Sequence, residues 1–163
     1  MKKIKRWDKS CQIWKLEKFV TLKTEIRGVE YESDYLRLAK NGDLAIKRGY
    51  AWNGCSPKTA IMGMVFGTPE GALPKVREKY AIRKKLEEMG YAPLNWNKPK
   101  TYYATLIHDS LYQISDRHAE KMDRKTADQI FLAFLKAFRF PPAKLYYLVV
   151  RIFGKYYWGL KPE

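Results

Sequence analysis

Two different hydrophobic periods divide this chain, and no other feature of the sequence limits its fold as strongly. Over residues 16–26 the even positions carry Leu16, Val20, Leu22 and Ile26, interrupted by Lys18 and Thr24, and polar residues occupy positions 17, 21, 23 and 25. This two-residue period predicts a half-buried β-strand. The second half instead carries apolar stripes with helical spacing, such as Tyr103, Ile107, Leu111 and Ile114. The pattern therefore predicts a sheet followed by helices.

A hairpin is predicted directly after the first strand. Residues 35–38 and 44–47 are both strand-like, and Lys40-Asn41-Gly42-Asp43 lies between them. An Asn-Gly pair readily adopts the two positive φ values of a type I′ turn. The two segments are therefore expected to pair as antiparallel strands across a tight turn.

The segment over residues 49–74 has a different character. It contains five glycines and three prolines, yet most of its other residues are apolar. Such a segment is too broken for a long helix and too hydrophobic for a solvated linker. A long loop is predicted here, and loops of this length inside compact domains often carry function.

Helices are predicted in the remainder, over residues 74–89, 98–114, 123–138 and 142–153. Gly90 supplies a C-terminal stop for the first of them, and Asp123 can cap the third. The short connection between the second and third helices favours an antiparallel pair.

These elements together predict an α+β fold, with an N-terminal antiparallel β-hairpin or small sheet and a helical half that contains an antiparallel helix pair. A length of 163 residues fits a single domain over 1–163. Strands are expected mainly within 1–50, the Gly/Pro-rich loop over 51–74, and helices over 75–155.

The charge of the chain is strongly unbalanced. Lysine and arginine total 32 against 17 acidic residues, a net charge of +15. Such a surface attracts polyanions, so an anionic partner is expected, either a membrane surface or an acidic macromolecule. Nucleic acid would also fit the charge, although no nucleic-acid-binding motif is present. Solubility alone is the remaining explanation.

Cellular location is predicted from what the sequence lacks. Cys11 and Cys55 are far apart in the sequence and fit free thiols in a reducing compartment. A single disulfide between them is the alternative. The basic N-terminus has no apolar run behind it, and no stretch of 18 apolar residues exists that could form a transmembrane segment. The expected location is the cytoplasm, including its membrane periphery.

The stretch Leu106–Tyr112, LIHDSLY, holds the main candidate site. On a helix His108, Asp109 and Tyr112 project toward one edge of the apolar stripe, so they are expected to border the core. Asp128 falls on the apolar side of the next helix, where a carboxylate must be paired or hydrogen-bonded. His108 and Tyr112 are its expected partners, and an imidazole held in this way can act as a general base.

The pattern H-D-x-x-Y, followed by an aspartate on the next helix, resembles the paired-helix active site of calcium-dependent phospholipases of the secreted and parvoviral type. The resemblance implies that His108 activates water and that Asp109 binds Ca²⁺. It also implies that Asp128 and Tyr112 orient the imidazole. The expected activity is therefore ester hydrolysis.

That family also has a glycine-rich calcium loop whose backbone carbonyls complete the metal shell. By resemblance, the segment Trp52-Asn53-Gly54-Cys55 is the candidate for this loop, with Trp52 and Gly54 as the carbonyl ligands. The glycines at 63, 67 and 71 are the other candidates. Calcium is the cofactor that the resemblance implies.

A second resemblance spans roughly residues 45–155. The chain carries in order Y-A-W-N-G-C-S-P from Tyr50, L-I-H-D-S-L-Y from Leu106, A-D-x-x-F from Ala127 and V-R-x-F-G from Val150. This order is similar to a family of small phage and prophage proteins of unknown function. It implies a phage origin, the host cytoplasm as location and a phage or host component as partner. Asn53 stands where related sequences often have aspartate.

Other chemistries remain open for the same residues. His108, Asp109 and Cys55, with or without His118, offer donor atoms that zinc accepts. Cys55 could alternatively be a nucleophile with His108 as its base. Ser56 lies in G-C-S-P rather than G-x-S-x-G, so a turn cap is the expected role.

A non-enzymatic role is the alternative to the proposed chemistry. His108, Tyr112 and Asp128 could form a buried polar network in a phage accessory, structural or binding protein.

The helix over 142–153 is apolar around most of its surface, which usually indicates burial. Its basic and aromatic neighbours would also suit a helix lying on an anionic membrane.

Overall fold

The structure is a computed structural model. It describes residues 14–52, 59–61, 64–66, 71–91 and 94–159. The strands are β1 (Trp14–Lys15), β2 (Val20–Lys23), β3 (Tyr31–Glu32), β4 (Leu36–Leu38), β5 (Asp43–Ile46), β6 (Ala51–Trp52), β7 (Thr59–Ile61) and β8 (Met64–Phe66). The helices are α1 (Val76–Glu88), α2 (Tyr102–His118), α3 (Arg124–Ala137) and α4 (Ala143–Phe153), and a 3₁₀ turn, Gly154–Tyr156, follows α4.

The main sheet has the strand order β2-β5-β4-β3, with every neighbouring pair antiparallel. Its register places Val20 opposite Ile46 and Leu22 opposite Leu44, so alternate side chains of β2 and β5 share one buried face. The predicted two-residue period is confirmed, although β2 covers only the middle of the predicted strand. One face of the sheet is thereby available to the helices.

The predicted hairpin is formed by β4 and β5, but its turn is not type I′. The amide of Gly42 donates to the Ala39 carbonyl at 2.8 Å, and the amide of Ala39 donates to the Asp43 carbonyl at 2.9 Å. Of the connecting residues only Gly42 has a positive φ, at +88°. The connection is therefore three residues long, and a single glycine supplies the left-handed conformation.

The segment predicted as a continuous loop over 51–74 contains short strands. β6 pairs with β1, Trp14 opposite Trp52, and β7 pairs with β8. Strands of two or three residues show no sustained alternation of apolar and polar side chains. Tight turns and glycines can begin and end such strands on either side. Periodicity alone therefore missed them.

The four predicted helices are present, with boundaries that differ from the predicted ones by up to about four residues. Gly90 follows α1 with φ of +68°, and the Asp123 carboxylate accepts hydrogen bonds from the amides of Lys125 and Thr126 at the start of α3. Both boundary predictions are thus confirmed, because each depends on local backbone chemistry.

Helices α2 and α3 pack antiparallel across the short connection 119–123. Tyr103 near the start of α2 stacks on Phe138 just after α3, with ring centroids 5.8 Å apart. Tyr112, further along α2, contacts Asp128 near the start of α3. The sheet, the later helices and this pair confirm the predicted α+β fold.

Helix α4 is buried on one face only. Tyr146, Val149 and Val150 are buried, whereas Leu148 and Ile152 remain exposed. One face of α4 therefore belongs to the core, and the opposite apolar face meets solvent. Within the described ranges no helix is both long enough and apolar enough to cross a bilayer.

Gly42→Ala is expected to lower the free energy of unfolding by about 2–4 kcal/mol. The positive φ strains any L-residue there, and a Cβ would lie 2.5 Å from the Thr24 carbonyl oxygen and 2.7 Å from that of Ile26. Gly28→Ala is the matched control, since Gly28 has φ of +74° but no atom within 4 Å of a built Cβ. Equal losses of unfolding free energy for the two variants, measured by urea denaturation, would contradict the role of close packing around Gly42.

Candidate active site

The predicted site residues are more deeply buried than their helical positions indicated. The exposed fraction is 0% for His108, 2% for Tyr112 and 8% for Asp109, so the expectation that they border the core is wrong. The rings of Phe131 and Trp158 cover this part of α2. The Phe131 ring centroid lies 4.9 Å from that of His108, and the Trp158 ring centroid lies 4.9 Å from that of Tyr112. Tertiary packing closes an edge that the isolated helix leaves open.

One carboxylate oxygen joins the two predicted partners from α2. Nε2 of His108 lies 2.9 Å from Oδ1 of Asp128, and the Tyr112 hydroxyl donates to the same oxygen at 2.8 Å. The contact predicted between the helices is therefore present. The His108 ring also lies against the Tyr112 ring, at a centroid distance of 4.2 Å, so its orientation is fixed by packing as well.

The second carboxylate oxygen of Asp128 is held by two arginines. Nη1 of Arg124 donates to Oδ2 at 3.0 Å, and Nη1 of Arg151 donates to it at 2.7 Å. Arg124 also donates to the carbonyls of Val150 and Arg151, which ties α3 to the last turn of α4. The buried carboxylate thus accepts from three helices.

The electrostatics of the site favour an ionised Asp128. Burial acts to raise the pKa of this carboxyl, but the hydrogen bond and charge of His108 and the bonds from Arg151 and Tyr112 outweigh it. The net result is a pKa below the ordinary value of 3.8. Burial and the negative charge of Asp128 together raise the pKa of Tyr112, which keeps its hydroxyl protonated as a donor.

An ionised Asp128 determines which ring nitrogen of His108 carries hydrogen. A carboxylate can only accept, so Nε2 is the donor and, in the neutral ring, Nδ1 holds the lone pair. Nδ1 is buried and has no hydrogen-bond partner among the described residues. The arrangement therefore presents a basic nitrogen whose tautomer is set from the opposite side of the ring.

Asp109 belongs to a neighbouring network rather than to the Asp128 cluster. Its Oδ2 lies 3.4 Å from the Tyr50 hydroxyl, which also donates to Oε1 of Gln113 at 3.0 Å. The Tyr50 ring stacks on Trp52, and Nε1 of Trp52 donates to Thr105 at 3.3 Å. Asp109 and Trp52 are thus both in contact with Tyr50.

The calcium interpretation is only partly within the described structure. Asn53, Gly54, Cys55 and Ser56 lie outside the described residues, and their roles as ligand, nucleophile or cap stay predictions. Ca²⁺ takes about six to eight oxygen ligands. Among the described residues, no three His, Cys, Asp or Glu side chains are grouped so that they could hold a metal ion.

The zinc alternative loses one of its donors. His118 lies ten residues beyond His108 on the same helix, a separation of about 15 Å along its axis. Its ring contacts Tyr31 of β3 instead, at a centroid distance of 6.0 Å. The two histidines of the chain therefore cannot share one metal ion.

Arg124, Arg151 and Gly154 are site residues that were not predicted from the sequence. Arg124 stands four residues before Asp128, a spacing that pairs opposite charges on a helix. A Cβ on Gly154 would collide with the Tyr112 hydroxyl, so this glycine allows the 3₁₀ turn to pass beside the site. The V-R-x-F-G motif contained the signal for two of them, but it named no contact.

Known proteins add no assignment to this geometry. Comparison of the chain with protein-family models, curated proteins and solved structures found no match. The function is therefore inferred from the contacts of His108 and Asp128 and from the sequence motifs.

Asp128→Asn is expected to lower the free energy of unfolding by about 2–4 kcal/mol. The substitution keeps the shape of the side chain but leaves two partly buried guanidinium groups without their counter-charge. Asp123→Asn is the control on the same helix, because asparagine is also a good N-cap residue and its stability should stay near wild type. A similarly small loss for Asp128→Asn in urea unfolding would show that the cluster contributes little.

The stabilisation by Asp128 should depend on pH in one direction. Because its folded pKa is lowered, the contribution is present above the ordinary carboxyl value of 3.8 and is lost as the pH falls through the folded value. The difference in unfolding free energy between wild type and Asp128→Asn is therefore expected to shrink as the pH falls below about 4. Chemical denaturation over a pH series in this acid range measures the difference, and a gap that widens there contradicts the assignment.

Proposed function

We propose that the chain is an ester hydrolase in which His108 is the general base. The observation that carries this proposal is the state of the imidazole. Asp128 holds Nε2 at 2.9 Å, and Nδ1 is left as a basic atom without a partner among the described residues. A base whose opposite nitrogen is oriented by a carboxylate is the arrangement that water activation requires.

The proposed reaction follows from that geometry. Nδ1 of His108 accepts a proton from water, and the water oxygen bonds to the carbonyl carbon of the ester. The acyl carbon–oxygen bond then breaks, and the departing alkoxide takes the proton from Nδ1. Asp128 stabilises the imidazolium that forms between these two transfers.

Tyr112, Arg124 and Arg151 act as positioning residues in this proposal. Their bonds hold both carboxylate oxygens of Asp128, so the acid cannot turn away from His108. The two arginines also oppose protonation of Asp128, which would remove the acceptor that sets the tautomer.

The resemblance to calcium-dependent phospholipases supports a phospholipid or other acyl ester as substrate. Ca²⁺ bound near Asp109 would supply a positive charge for the ester carbonyl oxygen. The ordered motifs from Tyr50 to Gly154 support the further proposal that the protein comes from a phage or prophage and acts in the host cytoplasm.

A buried polar network in a non-enzymatic phage protein is the second candidate, and one observation favours it. The side chains of His108 and Asp128 are both fully buried, at 0% exposure. Two surface hollows beside α3 do not include either residue in their walls. A network of this kind would fix the relative positions of α2, α3 and α4 without chemistry.

His108→Gln separates the two candidates. The glutamine amide can still donate to Asp128, so the cluster stays hydrogen-bonded while the base is lost. We expect hydrolysis of short-chain nitrophenyl esters or phospholipid vesicles to fall about 10²–10⁴-fold, with a melting temperature near wild type. Tyr112→Phe keeps the base and removes one of the donors to Asp128, so a much smaller loss of rate is expected.

The assays should be run both with added Ca²⁺ and with chelator, so that a metal requirement is seen directly. Wild-type protein that hydrolyses no ester in either condition would overturn the enzyme proposal. An active His108→Gln variant would do the same. A large fall in its melting temperature without any activity to lose would favour the structural network.

A further inference from the structure

The outer face of α4 carries an unpartnered aliphatic stripe. Leu145, Leu148 and Ile152 are 42%, 53% and 50% exposed, and their spacing of three and four residues places them on one side of the helix. The opposite side holds the buried residues Tyr146 and Val150. Isolated exposed leucines are ordinary, whereas a continuous apolar row on one helix face is a feature typical of interaction surfaces.

Basic residues lie next to this stripe. Lys144 precedes Leu148 by four residues, and Lys155 follows Ile152 by three, so both project beside the aliphatic row. A hollow of about 590 Å³ adjoins the start of α4, with Lys136, Arg139 and Lys144 in its wall. None of these three cations forms a salt bridge among the described residues.

Arg139 occupies a backbone position that normally selects glycine. Its φ is +52°, and the amides of Arg139 and Phe140 donate to Lys136 and Leu135 in the pattern of a helix C-terminus. An L-residue in this conformation is strained relative to glycine. The chain therefore places a guanidinium at the edge of the hollow in spite of a local cost.

The combination of aliphatic and cationic groups favours lipid over nucleic acid. Phosphate groups would satisfy the lysines and Arg139 in either case, but an acyl phase buries exposed leucine and isoleucine, whereas the phosphate backbone of a nucleic acid does not. Base stacking would need exposed aromatic rings beside these cations, whereas Phe140 and Tyr146 are buried. Tyr156 is exposed at the far end, under the Lys155 ammonium group, as is typical of an interfacial aromatic.

We propose that the outer face of α4, together with Lys136, Arg139 and Lys144, docks on an anionic lipid bilayer. The helix would lie parallel to the surface, with Leu145, Leu148 and Ile152 in the outer acyl region and the cations among phosphate headgroups. This docking does not depend on catalysis by His108. It does place near the bilayer the helix that supplies Arg151 to Asp128.

Co-sedimentation with vesicles tests the proposal. Wild-type protein is expected to bind vesicles of mixed phosphatidylcholine and phosphatidylglycerol, to bind phosphatidylcholine alone weakly, and to dissociate as salt is raised. Lys136→Gln, Arg139→Gln and Lys144→Gln combined should weaken binding about a hundredfold. The matched control removes three exposed charges from the sheet half, by Lys18→Gln, Lys23→Gln and Arg48→Gln, and should weaken binding far less.

The aliphatic stripe needs its own comparison. Leu148→Ser with Ile152→Ser should lower vesicle binding at least tenfold, whereas Phe19→Ser with Tyr35→Ser, which removes similarly exposed rings from the sheet half, should have little effect. Equal losses of vesicle binding for the two triple charge variants would show that net charge alone drives binding. That result would overturn the proposal. Binding to single-stranded DNA without binding to vesicles would overturn it in favour of nucleic acid. His108→Gln should bind vesicles like wild type, so a failed docking experiment and a failed hydrolase are distinguishable.

Discussion

The buried carboxylate of Asp128 is the constraint on which the helical half depends. An ionised acid without solvent is strongly unfavourable, so every lone-pair direction must be met by a donor. Here α2 contributes His108 and Tyr112, and the two arginines come from α3 and α4. Three helices are therefore held in one relative arrangement by a single charge. The orientation of the histidine is a direct consequence of the same bonds.

The same cluster links the proposed chemistry to the proposed membrane surface. Arg151 lies on α4, whose inner face packs on the core and whose outer face exposes aliphatic residues. Arg124 additionally holds the carbonyls at the end of α4. A displacement of α4 would thus change the contacts of Asp128 directly. This coupling needs no long pathway, because one helix carries both the surface and the arginine.

Local chemistry accounts for the parts of the fold that could be predicted. Asp123 caps α3, Gly90 ends α1, and the alternation of β2 matches its buried face, since each depends on neighbours in sequence. The pairing of His108 with Asp128 was also predictable, because a carboxylate on an apolar helix face requires a partner. The prediction of a type I′ turn was wrong, because the connection is one residue longer than a two-residue type I′ turn. The strands within 51–74 were missed because they are too short to show a period.

The sequence by itself determined that a sheet precedes four helices, that Gly90 ends α1 and Asp123 caps α3, and which residues had to meet between α2 and α3. Only the tertiary structure decided that His108 and Asp128 are fully buried, that two arginines complete the carboxylate, and that Leu148 and Ile152 face outward. Periodicity reports which side of a helix is apolar, but not whether another element covers it. Coverage is a property of the assembled core, because it depends on elements distant in the chain.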